Sequence, residues 1–391
     1  MRILCIDVGT GTQDILLFDS STEIENCIQL VMPSPTQIVA RQVAAATQAG
    51  HTLLLGGVTM GGGPGAWAVE AHIKAGLSVY ASPDAARTLD DDLARVAEMG
   101  VKVLPAEELA DLWGNLGPDH ATILELQDVN LPAIDAALLA FSEPASYDAI
   151  AIAAFDHGAA PPGYSDRRFR FDYIAEQLGE WGDDPVASAL AAFSSPAADL
   201  HPDLTRLRAI ASTVTDSDRA GLPLLLMDTG PAALLGALGD PTVRAAAQNN
   251  AIFVNVGNFH VLAFHIVEDH IRALFEHHTG LVDGPKLVRL MESLANGTLT
   301  NEEIFDDSGH GALNIAEPLP AGMSPDLCMV TGPRRSMLAS ISTPWPVYMA
   351  VPHGDMMLSG CYGLLRAYAA HFPASAEAIL SRLDLAPQED R

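Results

Sequence analysis

Lysine is nearly absent from this chain: Lys74, Lys102 and Lys286 are the only three in 391 residues. Lysine and arginine together number 21 against 49 acidic side chains, a formal charge of −28. A surface of that sign repels phosphate backbones and anionic headgroups, so neither nucleic acid nor a membrane surface is an expected partner. Cysteine is also scarce. Cys5, Cys27, Cys328 and Cys361 are widely separated, with no C-x-x-C grouping. That pattern argues against a locally built zinc or iron–sulfur site and for a reducing compartment. No apolar run reaches the roughly 18 residues that a membrane helix needs. The apolar residues after Met1 give way at Asp7, too soon for a signal peptide. A cytoplasmic location is the expectation.

What the chain has is apolar material: 49% hydrophobic residues and a mean hydropathy of +0.19. Its length allows two domains with buried cores. Residues 3–19, ILCIDVGTGTQDILLFD, predict a β-hairpin, two apolar runs around a Gly/Thr turn. Gly9 and Gly11 let backbone N–H groups approach a ligand, Thr10 and Thr12 add hydroxyls, and Asp7 closes the first strand. Such a turn can cradle phosphate oxygens while the carboxylate faces their cation. Residues 251–267, AIFVNVGNFHVLAFHIV, repeat the pattern, with Asn255-Val256-Gly257 standing where Asp7-Val8-Gly9 stands. Two matching hairpins predict a duplicated domain whose turns face each other across a cleft.

With these motifs the sequence resembles the actin, Hsp70 and sugar-kinase superfamily of ATP-binding proteins. More narrowly, Asp7–Asp14, Asp156-His157-Gly158, residues 276–280 (EHHTG) and Pro352-His353-Gly354-Asp355 resemble an uncharacterised branch labelled pyruvate-formate-lyase-activating-like. The resemblance implies an α/β fold of two ribonuclease-H-like domains facing a central cleft, residues 1–240 and 241–391. The acidic, helix-patterned stretch at about 82–120 predicts a helical cap inserted in the first. The resemblance also implies Mg2+ and ATP as cofactors. Gly9, Thr10, Gly11 and Thr12 would hold the terminal phosphates, and Asp7 would hold magnesium through water. Asn255, Gly257 and Asn258 would face the other phosphates, and Gly332 would lie near the adenosine. A small-residue helix after each half, residues 232–238 and 356–368, would let the two cross closely.

Asp156 and Asp228 each end a predicted strand, where a carboxylate points into the cleft of an open α/β sheet. Asp156 could be the base that deprotonates an acceptor, or else a helix or turn cap; Asp228 is the second candidate for the base, or for a metal contact. Arg167 and Arg168, with His157 and His278, are candidate contacts to a small, anionic hydroxyl- or carboxyl-bearing acceptor; the alternative for the arginines is a surface ion-pair network. His277, His353 and Asp355 are candidate metal ligands, although no H-x-x-x-H spacing supports them. The glycine-rich loop at 56–65 opens a helix and could bind an anion or simply connect. In the second phosphate turn Asn255 replaces the usual acid, and an amide brings no charge to magnesium. The expected activity is therefore a Mg-ATP phosphotransferase or ATPase. The alternatives are a nucleotide-dependent activator of a partner enzyme, a non-catalytic nucleotide binder, or a metal-dependent hydrolase; besides the acceptor, the partner could be another enzyme or a second copy in a homodimer. The label's radical chemistry requires a cysteine triplet that the chain lacks, so no iron–sulfur cluster is expected.

Overall fold

The computed structural model describes residues 1–181, 184–320 and 322–384. The first sheet contains β1 (Arg2–Val8), β2 (Thr12–Asp19), β3 (Ile28–Pro33), β8 (Ala149–Ala154), β9 (Ser194–Pro196) and β10 (Leu224–Asp228), in the order β3-β2-β1-β8-β10-β9. The second contains β11 (Asn250–Val256), β12 (His260–Val267), β13 (His270–His278), β14 (Gly311–Asn314), β15 (Leu327–Thr331) and β16 (Val347–Met349), in the order β14-β13-β12-β11-β15-β16. Setting aside β9 and β14 at the edges, both sheets have one topology. Three antiparallel strands lead into two that run parallel to the first. The chain is a duplicated ribonuclease-H-like fold, as the two hairpins predict.

Both faces of each sheet are covered, which is why the central strands are apolar throughout rather than alternating. Alternate residues of β1 and β2 (Ile3, Cys5, Leu16, Phe18) join the core that lies between the two sheets, together with Ala251 and Phe253 of β11. The other set (Leu4, Ile6, Ile15, Leu17) packs on the outer helices. Through the shared core run the helices Thr229–Ala237 and Ser359–His371, which touch backbone to backbone. A Cβ at Gly236 would collide with the carbonyl oxygen of Ser359, and one at Gly363 with that of Ala232. The small residues are what permits this crossing.

One expectation about organisation is corrected. The insertion is not a helical cap at 82–120. It is an α/β unit lying between β3 and β8, built on a parallel sheet ordered β6-β5-β4-β7. Its strands are β4 (Thr52–Gly57), β5 (Val79–Ala81), β6 (Val101–Val103) and β7 (Ala121–Leu126). Two of these strands have three residues each, too few to show a period, so only the helices between them are visible in the pattern. The end of the described chain packs back on the first domain. The last helices, Ser359–His371 and Pro373–Leu383, return to its sheet, where Cys361 Sγ donates to the Asp14 carbonyl at 3.2 Å and Arg382 pairs with Glu23 at 2.9 Å. Among the described residues no helix is long and apolar enough to cross a membrane.

Candidate functional site: a cleft between two glycine hairpins

The turns that join β1 to β2 and β11 to β12 face one another. Each is closed by the same bond, Gly9 N–H to the Thr12 carbonyl at 2.9 Å and Gly257 N–H to the His260 carbonyl at 2.9 Å. His260 therefore occupies in the second turn the place of Thr12 in the first. At the tips the Asn258 side chain lies against Gly11, where any Cβ would displace it. The two turns open onto one shared cavity. Asp7, Gly9, Thr10, Thr12, Asn255, Gly257, Asn258 and Gly332 all line it, so the structure brings together eight of the residues singled out for nucleotide and magnesium. Gly332 has φ +94° and packs on the Asn255 side chain, an approach open only to glycine.

Asp14, which sequence reasoning did not single out, lines the same cavity. It is the cross-strand partner of Asp7. Asp7 Oδ1 accepts from the Thr229 hydroxyl at 2.6 Å, and Gly360 leaves room for its other oxygen. Asp14 is 6% exposed, and its Oδ1 has no hydrogen-bond partner among the described residues. Burial pushes Asp7 up to about 7, opposed by the Thr229 hydrogen bond and helped by nearby Asp228. Burial and then Asp7 push Asp14 up to about 8. Two buried carboxyls, one with an orphan oxygen, fit a hard divalent cation. A signal was available: Asp7 and Asp14 are equidistant from the turn and must share a face.

The strand-end aspartates of the expected acceptor site are committed elsewhere. Asp156 Oδ1 accepts from Gly158 N–H and Oδ2 from Leu207 N–H, both at 2.9 Å, so it caps a turn and the helix Thr205–Thr215. Asp228 Oδ1 caps its own helix at Gly230 N–H, 3.0 Å away, and Oδ2 accepts from Arg170 at 2.6 Å. Burial raises the Asp228 carboxyl and Arg170 opposes it. Arg170 is the hub that the sequence hid. It is 1% exposed, bonds both oxygens of Glu276 at 2.5 and 3.0 Å, and lies 4.0 Å over the Phe155 ring. Burial works against its charge, but Asp228 and Glu276 outweigh it and the guanidinium is held protonated. It joins the first domain to β13 of the second.

Arg167 and Arg168 do not line the cavity. Arg167 donates to the carbonyls of Phe305, at 2.9 Å, and Gly309, and both Arg167 and Arg168 stack on the Phe305 ring. Both thereby contact the second domain. His157 lies 6.1 Å from the Phe155 ring, outside the cavity lining. The expected metal set does not converge either. His277 is fully buried, facing Asp307 at 3.4 Å; His353, at φ +50°, packs on Tyr362; and Asp355 caps Met357 N–H at 2.8 Å. In the glycine-rich loop Gly61 N–H is bonded to Asp128, just beyond β7, and Gly65 N–H to Thr36 of the helix Pro35–Ala49, so these two amides are taken up within the segment between β3 and β8.

A different histidine group does assemble. His260 opens β12, His278 closes β13 as its cross-strand partner, and His310 immediately precedes β14. Their ligand atoms lie within 4.8 Å of one another. Burial lowers the His260 and His310 imidazoles well below their ordinary value, so both are neutral.

Two facing glycine hairpins in duplicated sheets, over a carboxylate pair, define the actin-like ATPase class of fold. The chain belongs to the family described as "Putative pyruvate format-lyase activating enzyme (DUF1786)", whose pattern matches residues 60–337. No curated protein matches the sequence. Among solved structures, a ROK family glucokinase from Streptomyces griseus with glucose and AMPPNP is 12% identical over 93% of this chain and 98% of its own, at a TM-score of 0.32. An N-acetylmannosamine kinase candidate from Listeria monocytogenes is 9% identical over 95% and 99%, at 0.34. The PilM-PilN type IV pilus biogenesis complex gives 11% over 94% and 98%, at 0.38. Likenesses this low carry nothing about activity. All four cysteines are free and buried, and none belongs to a group of three donors among the described residues.

Proposed function

We propose that the protein binds a magnesium nucleoside triphosphate, ATP, in this cleft and cleaves its terminal phosphate, as an ATPase or a phosphotransferase. The observation that carries the reading is the buried Asp7–Asp14 pair, with its orphan oxygen, beneath two facing glycine turns. The turns of Gly9–Thr12 and Gly257–Asn258 offer amides and side-chain donors to the phosphates. Asp7 and Asp14 hold the cation and Gly332 lies beside the adenosine. Magnesium supplies charge neutralisation on the polyphosphate, and positioning by the two hairpins supplies much of the remainder, as in phosphoryl transfer generally.

One observation favours water over a small molecule as acceptor, and hence an ATPase that drives a partner. Asp156 and Asp228, the strand-end carboxylates suited to a base, are both engaged as caps. Calorimetric titration of metal-analysed protein with ATP, with and without magnesium and again with Asp14→Asn, tests the reading. Magnesium-dependent binding that the variant loses supports it. Binding that is absent, or that survives the substitution unchanged, overturns it.

A further inference from the structure

We propose that His260, His278 and His310 form a binding site for one borderline transition-metal ion of the zinc class, separate from the carboxylate pair and open on one side to the cleft. The inference does not rest on nucleotide binding. The three rings are 5.2, 5.0 and 4.7 Å apart, centre to centre. An imidazole bound at ~2.0 Å has its centre roughly 3.2 Å from the metal, so three in tetrahedral directions lie roughly 5 Å apart. The rings therefore already stand at the spacing of a bound set, and small rotations bring the nitrogens in.

The hydrogen bonds point the same way. His278 Nδ1 donates to the Ser308 carbonyl at 2.7 Å, which leaves Nε2 with its lone pair, the usual outer-shell arrangement of a ligating histidine. His310 is 3% exposed, and its Nδ1 is buried without any partner among the described residues. A buried polar atom left unsatisfied is costly unless something absent from the protein itself occupies its lone pair. Arg167, which bonds the Gly309 carbonyl, fixes the loop that carries His310 and acts as a positioning residue.

Three imidazole nitrogen donors favour zinc, cobalt or nickel over magnesium, whose ligands are oxygens. Three protein ligands also leave a coordination position. His260 lines the cleft, so that position faces the cavity and would take water or an anionic oxygen.

The test is cobalt substitution of untagged, chelator-treated full-length protein in excess magnesium, read by visible absorption and by metal analysis after dialysis. One cobalt per chain is expected, with d–d bands of nitrogen ligation that azide shifts. His310→Ala and His278→Ala should each weaken binding about tenfold or more, while His353→Ala, far from the trio, should not. The wild-type spectrum needs no variant to fold. No stoichiometric cobalt, or affinity unchanged in a folded His278→Ala/His310→Ala protein, overturns the site, and bands that azide leaves in place overturn its open position.

Discussion

Asp7 and Asp14 stand opposite one another in the first hairpin, both buried, with one oxygen of Asp14 unpartnered. Each carboxyl binds its proton more tightly folded than unfolded, since its value is raised from 3.8 to about 7 for Asp7 and about 8 for Asp14. The stability that this supplies is complete below the unfolded value and is lost as pH rises through 7 to 8. The metal-free protein should therefore lose several degrees of melting temperature between about pH 4 and pH 8. Magnesium should restore stability at the upper end, and Asp14→Asn should flatten the profile. Thermal melts across pH, with and without magnesium, check all three; a flat wild-type profile would mean that the pair is not protonated in the fold.

The arginine that ties the domains together should be the most sensitive single position. Replacing Arg170 by Met leaves Asp228 and Glu276 buried without a countercharge, and breaking such a pair costs about 3–5 kcal/mol. Arg170→Lys keeps the charge but cannot reach both carboxylates with the same fork, so its loss should be intermediate. Urea unfolding of the two variants measures the order.

The helix crossing makes a sharper contrast between glycines. Gly236→Ala places a methyl group on the Ser359 carbonyl, and overpacking of this kind costs about 1–3 kcal/mol or more. Gly114, exposed in the helix Ala106–Leu116, meets nothing within 4 Å. Gly114→Ala should stabilise by about 0.5–1 kcal/mol through helix propensity. Denaturation midpoints that fell equally in both would remove close packing as the explanation.

These contrasts mark what the sequence could and could not disclose. The hairpins were legible because their signals are local: Asp-Val-Gly and Asn-Val-Gly, each between apolar runs. Asp14 was one step further, requiring only the register counted back from the turn. Arg170 lies in the same arginine cluster as Arg167 and Arg168, and nothing local distinguishes the one that is buried; its carboxylate partners are 58 and 106 residues away. His260 and His278 are cross-strand partners of one hairpin, again a matter of register. His310 arrives from beyond the helix Asn301–Asp306, and only the closed sheet places it beside them.

The clearest separation of cap from base concerns Asp156. Its two oxygens hold Gly158 and Leu207 N–H groups, and an amide can replace only one of the two acceptors. Asp156→Asn should therefore cost about 1–2 kcal/mol, the worth of a helix cap. If the aspartate is only a cap, turnover of ATP per folded molecule should stay within about threefold, because a lost general base costs about 10²–10⁴. Asp7→Asn should show the opposite split, since its carboxyl lies in the cavity and accepts one hydroxyl rather than capping a helix. Steady-state phosphate release with folded fractions measured on the same samples resolves the two. A large drop in turnover for Asp156→Asn at full folding would return that residue to the reaction and make an acceptor-directed kinase the better description.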